Sequence, residues 1–207
     1  MEARFHPGRI RGSQALWWAV FVLCLVYGVF AVTAGLGLVE AEKPRAIEHA
    51  FVVHALAGGI ALIAGALQFN AAIRARLQRV HRVSGRIYVG SVVLASLSGM
   101  VSAAAFEVGL LAKLSFALLG ALWLASTLVG FRMILRKRQS QHRNWMIRSF
   151  ALSLFFVSFS FWVPAVESFV LVGEAGYAVA VTLSWMVNLL VAEVLILRRK
   201  QGHTASL

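Results

Sequence analysis

An all-α integral membrane bundle of six transmembrane helices, with both termini cytoplasmic, is what this 207-residue sequence predicts. Three observations carry that reading. Hydrophobic letters make up 60% of the chain and charged letters only 14%, with a mean hydropathy of +0.79. Soluble domains carry about a quarter charged residues, so this chain has too few to cover a water-facing surface. Six apolar stretches each reach the length of about 20 residues that a bilayer core requires. Seventeen of the twenty Lys and Arg residues fall on one side if those stretches alternate. A soluble enzyme, a fibrous protein and a disordered chain are all excluded.

The spans read Ala15–Val39, Ala46–Phe69, Ile87–Phe106, Leu110–Leu135, Trp145–Val172 and Tyr177–Leu197, within a single domain covering residues 1–207. The first has a basic flank like a signal peptide, but it is longer than a signal core and lacks an A-x-A site, so it reads as a retained helix. Span two is rich in small residues (Ala55, Gly58, Gly59, Gly65), which lets a neighbouring helix approach closely. Before span one stand Arg4, Arg9 and Arg11; between spans two and three stand Arg74, Arg76, Arg79, Arg82 and Arg86. Six more surround the turn between spans four and five, and Arg198, Arg199 and Lys200 follow span six. The opposite side receives Lys43, Arg45 and Lys113 with six of the eight glutamates. The positive-inside rule then places both termini in the cytoplasm of a multi-pass protein of the inner (plasma) membrane.

That topology also accounts for the net charge of +12. The basic side faces anionic lipid headgroups of the bilayer, and nucleic acid is not the expected partner. Trp17, Trp18 and Trp145 fall at the inner interface and Trp162 near the outer one, as an aromatic belt requires. Cys24 is the single cysteine, so neither an intrachain disulfide nor a cysteine metal cluster is available. No nucleophile triad, phosphate-binding loop or metalloprotease helix occurs. Whether the chain is an enzyme is left open.

An offset of 61 residues aligns His81-Arg82 with His142-Arg143, Gln78 with Gln139, Gly59 with Gly120 and Ala64 with Ala125. Each unit is a helix, a basic turn and a returning helix, so the repeat of two helix hairpins is parallel, about an axis along the membrane normal. Two segments within it are distinctive: RARLQRVHRVSGRIYV from Arg74 to Val89, after Gln68-Phe69, and HRNWMIRSFALS from His142 to Ser153, after Ala121–Thr127 and before Pro164. Together with His54 they resemble the domain-of-unknown-function 2306 family of predicted bacterial membrane proteins. The resemblance covers spans two to five and implies the fold and topology; it implies no activity.

Several polar residues inside or beside the spans are candidates for chemistry. His81 and His142, with Arg82, Arg86, Arg143 and Arg148, lie at the inner ends of spans three and five. Two imidazoles at one level suit a b-type haem whose propionates meet arginine, which would make the protein a transmembrane electron carrier. The same arginines suit a lipid phosphate or another anion, and the alternative is a binder or carrier of a small molecule or lipid without redox chemistry. A third reading is structural, with each histidine capping its turn. His54 lies about 9 Å into span two and Met100 at matched depth in span three, a pair that suits haem iron or copper as well as plain packing. His49, beside Glu48, reads as a solvated loop residue. Asn188 and Glu193 lie in span six, where an ionisable group needs a partner. Arg148, at similar depth, is expected to supply it, a proton or cation site being the other reading of Glu193. Trp123 and Trp185 are deep enough to line a pocket or to pack in the core.

Overall fold

The computed structural model describes residues 7–39 and 47–204, with side chains over 14–39 and 47–201. Arg4, Glu40, Glu42, Lys43 and Arg45, which the charge count uses, lie outside the described residues, as do the side chains of Arg9 and Arg11. All regular structure among the described residues is helical: α1 Pro7–Gly35, α2 Glu48–Gln68, α3 Ala71–Arg76, α4 Gln78–Ala105, α5 Leu110–Leu135, α6 Gln139–Ser153, α7 Phe155–Phe169 and α8 Gly173–Thr204. Five of these are long and apolar enough to cross a membrane, and α6 with α7 make a sixth crossing if the bent pair is one span.

Several boundaries differ from the sequence expectation. The third span was expected from Ile87, yet α4 begins at Gln78, so His81, Arg82 and Arg86 are helical residues. Arginine is a good helix former with a stem that lies along apolar surface, so a helix runs on where hydropathy falls. The preceding turn holds the short α3, whose Asn70 cap accepts from the amides of Ala72 and Ile73 at 2.9 and 3.0 Å. His49 is not in a loop but in the first turn of α2, and it is exposed. Helix α1 starts earlier than Ala15 and stops at Gly35, four residues before Val39. Its end is a left-handed cap: Gly37 has φ +72°, and the amides of Leu38 and Gly37 reach the carbonyls of Thr33 and Ala34.

Span five shows the largest departure. It was expected as one helix over Trp145–Val172, but it breaks at Leu154 and bends by 44°. The break follows Ser153, whose hydroxyl bonds back to the Ser149 carbonyl at 3.1 Å, an interaction that bends helices. Pro164 lies inside α7, ten residues beyond the break.

Helices α2, α4, α5 and α6 form a ring in that order, each packed on its two neighbours. Helix α1 lies against α2, and α8 against α5, α6 and α7. The ring places α4 diagonally opposite α6, as a two-fold axis relating the α2–α4 hairpin to the α5–α6 hairpin requires. Residues 61 apart meet between those two helices: the Tyr88 hydroxyl lies 2.6 Å from Ser149 Oγ. Leu94, Leu97, Val101, Leu190, Val194 and Leu197 are exposed in mid-helix, which is the lipid-facing surface. Beyond the break, α7 leaves the ring and packs on α8 and α1. The ring is therefore one helix short in the half distant from the arginine-rich turns.

Candidate functional site

The missing quarter of the ring is a cavity of about 400 Å³. Its walls are the far ends of α1 and α4 and the near ends of α2, α5, α7 and α8, meeting as Phe30, Phe51, Phe106, Phe116, Phe156 and Tyr177. Phe116, Phe155, Phe159 and Tyr177 close a cycle of ring contacts, with centroids 5.2 to 6.5 Å apart, along its α5–α7–α8 side. Such spacings are the favourable edge-on and offset arrangements of aromatic pairs. Few polar atoms face the interior. His54 donates from Nδ1 to the Ala95 carbonyl (2.8 Å), and a Cβ on Gly99 would collide with its ring. Ser96, 2% exposed, has a hydroxyl with no hydrogen-bond partner.

Below the cavity, on the arginine-rich side, a hydroxyl cluster fills the ring. Tyr88 Oη lies 2.6 Å from Ser149 Oγ and 2.9 Å from Ser153 Oγ. Trp123 Nε1 donates to Ser153 (2.9 Å), and the Thr127 hydroxyl lies 2.6 Å from Ser149 Oγ. All five side chains are buried, so each group depends on the others for a partner. Tyr88→Phe should lower stability in detergent by about 1–2 kcal/mol, because two serine hydroxyls lose a partner where water does not replace it. Equal midpoints for Tyr88→Phe and wild type in thermal unfolding would remove the phenol from the list of bundle supports.

At the arginine-rich end, His81 and His142 lie within electrostatic reach of each other on the diagonal helices α4 and α6. Each is held through Nδ1. His142 donates to the Gly130 carbonyl at 2.8 Å, which leaves Nε2 with its lone pair. With the Gln68 amide turned so that its oxygen accepts from Ser84 and from the Gly85 amide, its nitrogen donates to Nδ1 of His81 (3.0 Å) and to the His81 carbonyl (3.2 Å). An Nδ1 that accepts puts the ring hydrogen on Nε2. Iron between two imidazoles, as the haem expected from the sequence requires, needs an unprotonated Nε2 from both; in this arrangement His142 offers one and His81 carries its hydrogen there. Among the described residues, no group of three His, Cys, Asp or Glu is placed to hold a metal ion. His54 and Met100 do line one cavity, with Met100 against Gly120.

The remaining candidates separate. Arg148 and Glu193 form a two-pronged ion pair, with Nε to Oε1 at 2.5 Å and Nη2 to Oε2 at 2.8 Å. Trp145 lies under the same guanidinium, 4.8 Å from ring centroid to Cζ. Arg82, Arg86 and Arg143 are exposed, Arg82 folding back toward the Gln78 carbonyl at 3.4 Å. Asn188 accepts from Ser158 at 2.9 Å, and its Nδ2 is buried without a partner. Trp123 lines the cavity, whereas Trp185 bonds to Ser115 at 3.0 Å. Sequence reading passed over Ser96, Tyr88, Ser149 and Ser153. The spacing of Ser84, Tyr88, Ser91 and Ala95 on one face of α4, and the offset of 61 between Tyr88 and Ser149, are the signals that point to them.

A bundle of apolar helices with lipid-facing leucines around a buried polar centre is a multi-span membrane protein. Residues 51–196 match the family described as Predicted membrane protein (DUF2306), and the chain belongs to that family. No curated protein and no solved structure matches the chain.

Proposed function

We propose that this protein binds a small lipid-soluble molecule within its bundle, as a membrane binder or carrier. The observation that carries the reading is the cavity of about 400 Å³, walled by aromatic and small side chains and containing very few polar atoms. A volume of that size is within the range of ligand sites, and its lining excludes charged occupants. Its construction by a bend supports the reading further, since an unbent α6–α7 helix would have filled the ring. The exposed arginines suit anionic headgroups, and the seventeen-to-three distribution of basic residues favours their face as the cytoplasmic one.

Gly58 supplies the test, because it lines the cavity and a Cβ placed on it meets nothing within 4 Å. Gly58→Phe should therefore fill the space without disturbing the fold. Mass spectrometry of protein released from detergent should find an apolar molecule on wild type and on Gly90→Phe, a change on the exposed face of α4. Gly58→Phe should carry at least tenfold less. The same adducts on all three proteins would defeat the cavity as a binding site.

A further inference from the structure

We infer that the ligand of this cavity is an alcohol or phenol, recognised through its hydroxyl by His54 and Ser96; the inference rests on the cavity being a binding site. The His54 imidazole supplies an acceptor. Its Nδ1 faces a carbonyl oxygen, which can only accept, so Nδ1 carries the hydrogen. A second proton on Nε2 would make a cation deep among apolar helices, with no carboxylate among the cavity's lining residues to answer it. The ring is therefore neutral, and Nε2 presents a lone pair. Among the described residues it has no hydrogen-bond partner, and the side chain lines the cavity.

Ser96 offers the complement. The residue lines the same cavity, and its buried hydroxyl bonds to nothing in the protein. Three other serines on α4 behave differently: the hydroxyls of Ser84, Ser98 and Ser102 donate to the carbonyls four residues before them, at 2.7, 2.6 and 2.9 Å. Ser96 keeps its proton available. The cavity thus holds one acceptor without a donor and one hydroxyl able to donate, in otherwise apolar surroundings. An alcohol or phenol answers both at once, donating its hydrogen to His54 Nε2 and accepting from Ser96. An ether, ester or ketone satisfies only Ser96 and sets its own lone pair against that of the imidazole. A buried polar group left unpaired is what makes such sites reject the analogue that lacks the hydroxyl.

The discriminating pair of probes is 2-naphthol and 2-methoxynaphthalene, which differ by replacement of the hydroxyl hydrogen with methyl. Binding is read from quenching of Trp123, which lines the cavity, in protein reconstituted into nanodiscs, with empty nanodiscs correcting for partition into lipid. Wild type should prefer the naphthol by about tenfold. Ser96→Ala should weaken both probes and leave that preference in place, whereas His54→Phe should reduce it to near unity while retaining the ether. His54→Gln, whose amide oxygen can accept, should restore part of it. Equal affinity of both probes for wild type would overturn the hydroxyl assignment and leave the cavity as a binder of apolar molecules. A preference unchanged in His54→Phe would overturn it equally. Failure of both probes to bind, with the same signal from Gly58→Phe, would overturn both this inference and the binding function beneath it.

Discussion

Gly59→Leu is expected to push α1 off α2 and to destabilise the bundle by about 3 kcal/mol, the upper part of the range for overpacking. The two helices cross at bare backbone. A Cβ on Gly59 would sit 2.5 Å from the Gly28 carbonyl oxygen and 2.8 Å from Val32, and one on Gly28 would sit 2.9 Å from the Gly59 carbonyl oxygen. A backbone carbonyl cannot rotate away as a long side chain can, so relief must come from moving the whole of α1. In lipid, where apolar surface is no worse off outside the bundle, close packing of this kind is a principal reason for helices to associate. Gly90→Leu is the matched control, since a Cβ there meets nothing within 4 Å. Thermal unfolding in detergent should separate the two variants clearly. Equal midpoints would show that α1 is not held at Gly59.

Removing one member of the Arg148–Glu193 pair should have the next largest effect. Glu193→Ala leaves a guanidinium facing lipid and Trp145 without its counter-ion, at a cost of about 2 kcal/mol. The side chains are 23% and 38% exposed, which keeps the figure below that for the bilayer centre. The double variant Arg148→Ala/Glu193→Ala should recover part of the loss, because no lone charge remains. Arg148→Lys should fall between, as it keeps the charge and loses the fork that binds both oxygens. Losses that simply add in the double variant would mean that the two groups are not coupled. This pair was legible beforehand: charges in apolar spans need partners, and these two share a depth.

The same local logic made most of the architecture legible. Hydropathy and charge are sums over neighbouring letters, so Leu110–Leu135 appears in the structure with the boundaries read from the sequence. They report where hydrocarbon begins rather than where a helix begins, which is why the start of α4 at Gln78 was missed by nine residues. The offset of 61 was visible in the paired His-Arg motifs, and Tyr88 and Ser149, the same distance apart in sequence, meet through their hydroxyls.

What the letters determined on their own is an apolar helical chain of a recognisable family, with five or six candidate membrane crossings. What only the tertiary structure decided is the site. No proline marks the bend at Leu154; it follows a serine that bonds its own helix while Trp123 and Tyr88, from two other helices, hold the same hydroxyl. The cavity exists because α7 then leaves the ring, and its polar character depends on which serine lacks a partner. The inner histidines show the same dependence. Their spacing suggested an iron site, but the hydrogen-bond partners Gln68 and Gly130 decide which nitrogen is free, and those partners come from other helices. Helix formation follows from nearby residues, whereas a hydrogen's position on an imidazole follows from whatever distant backbone or amide packs against it.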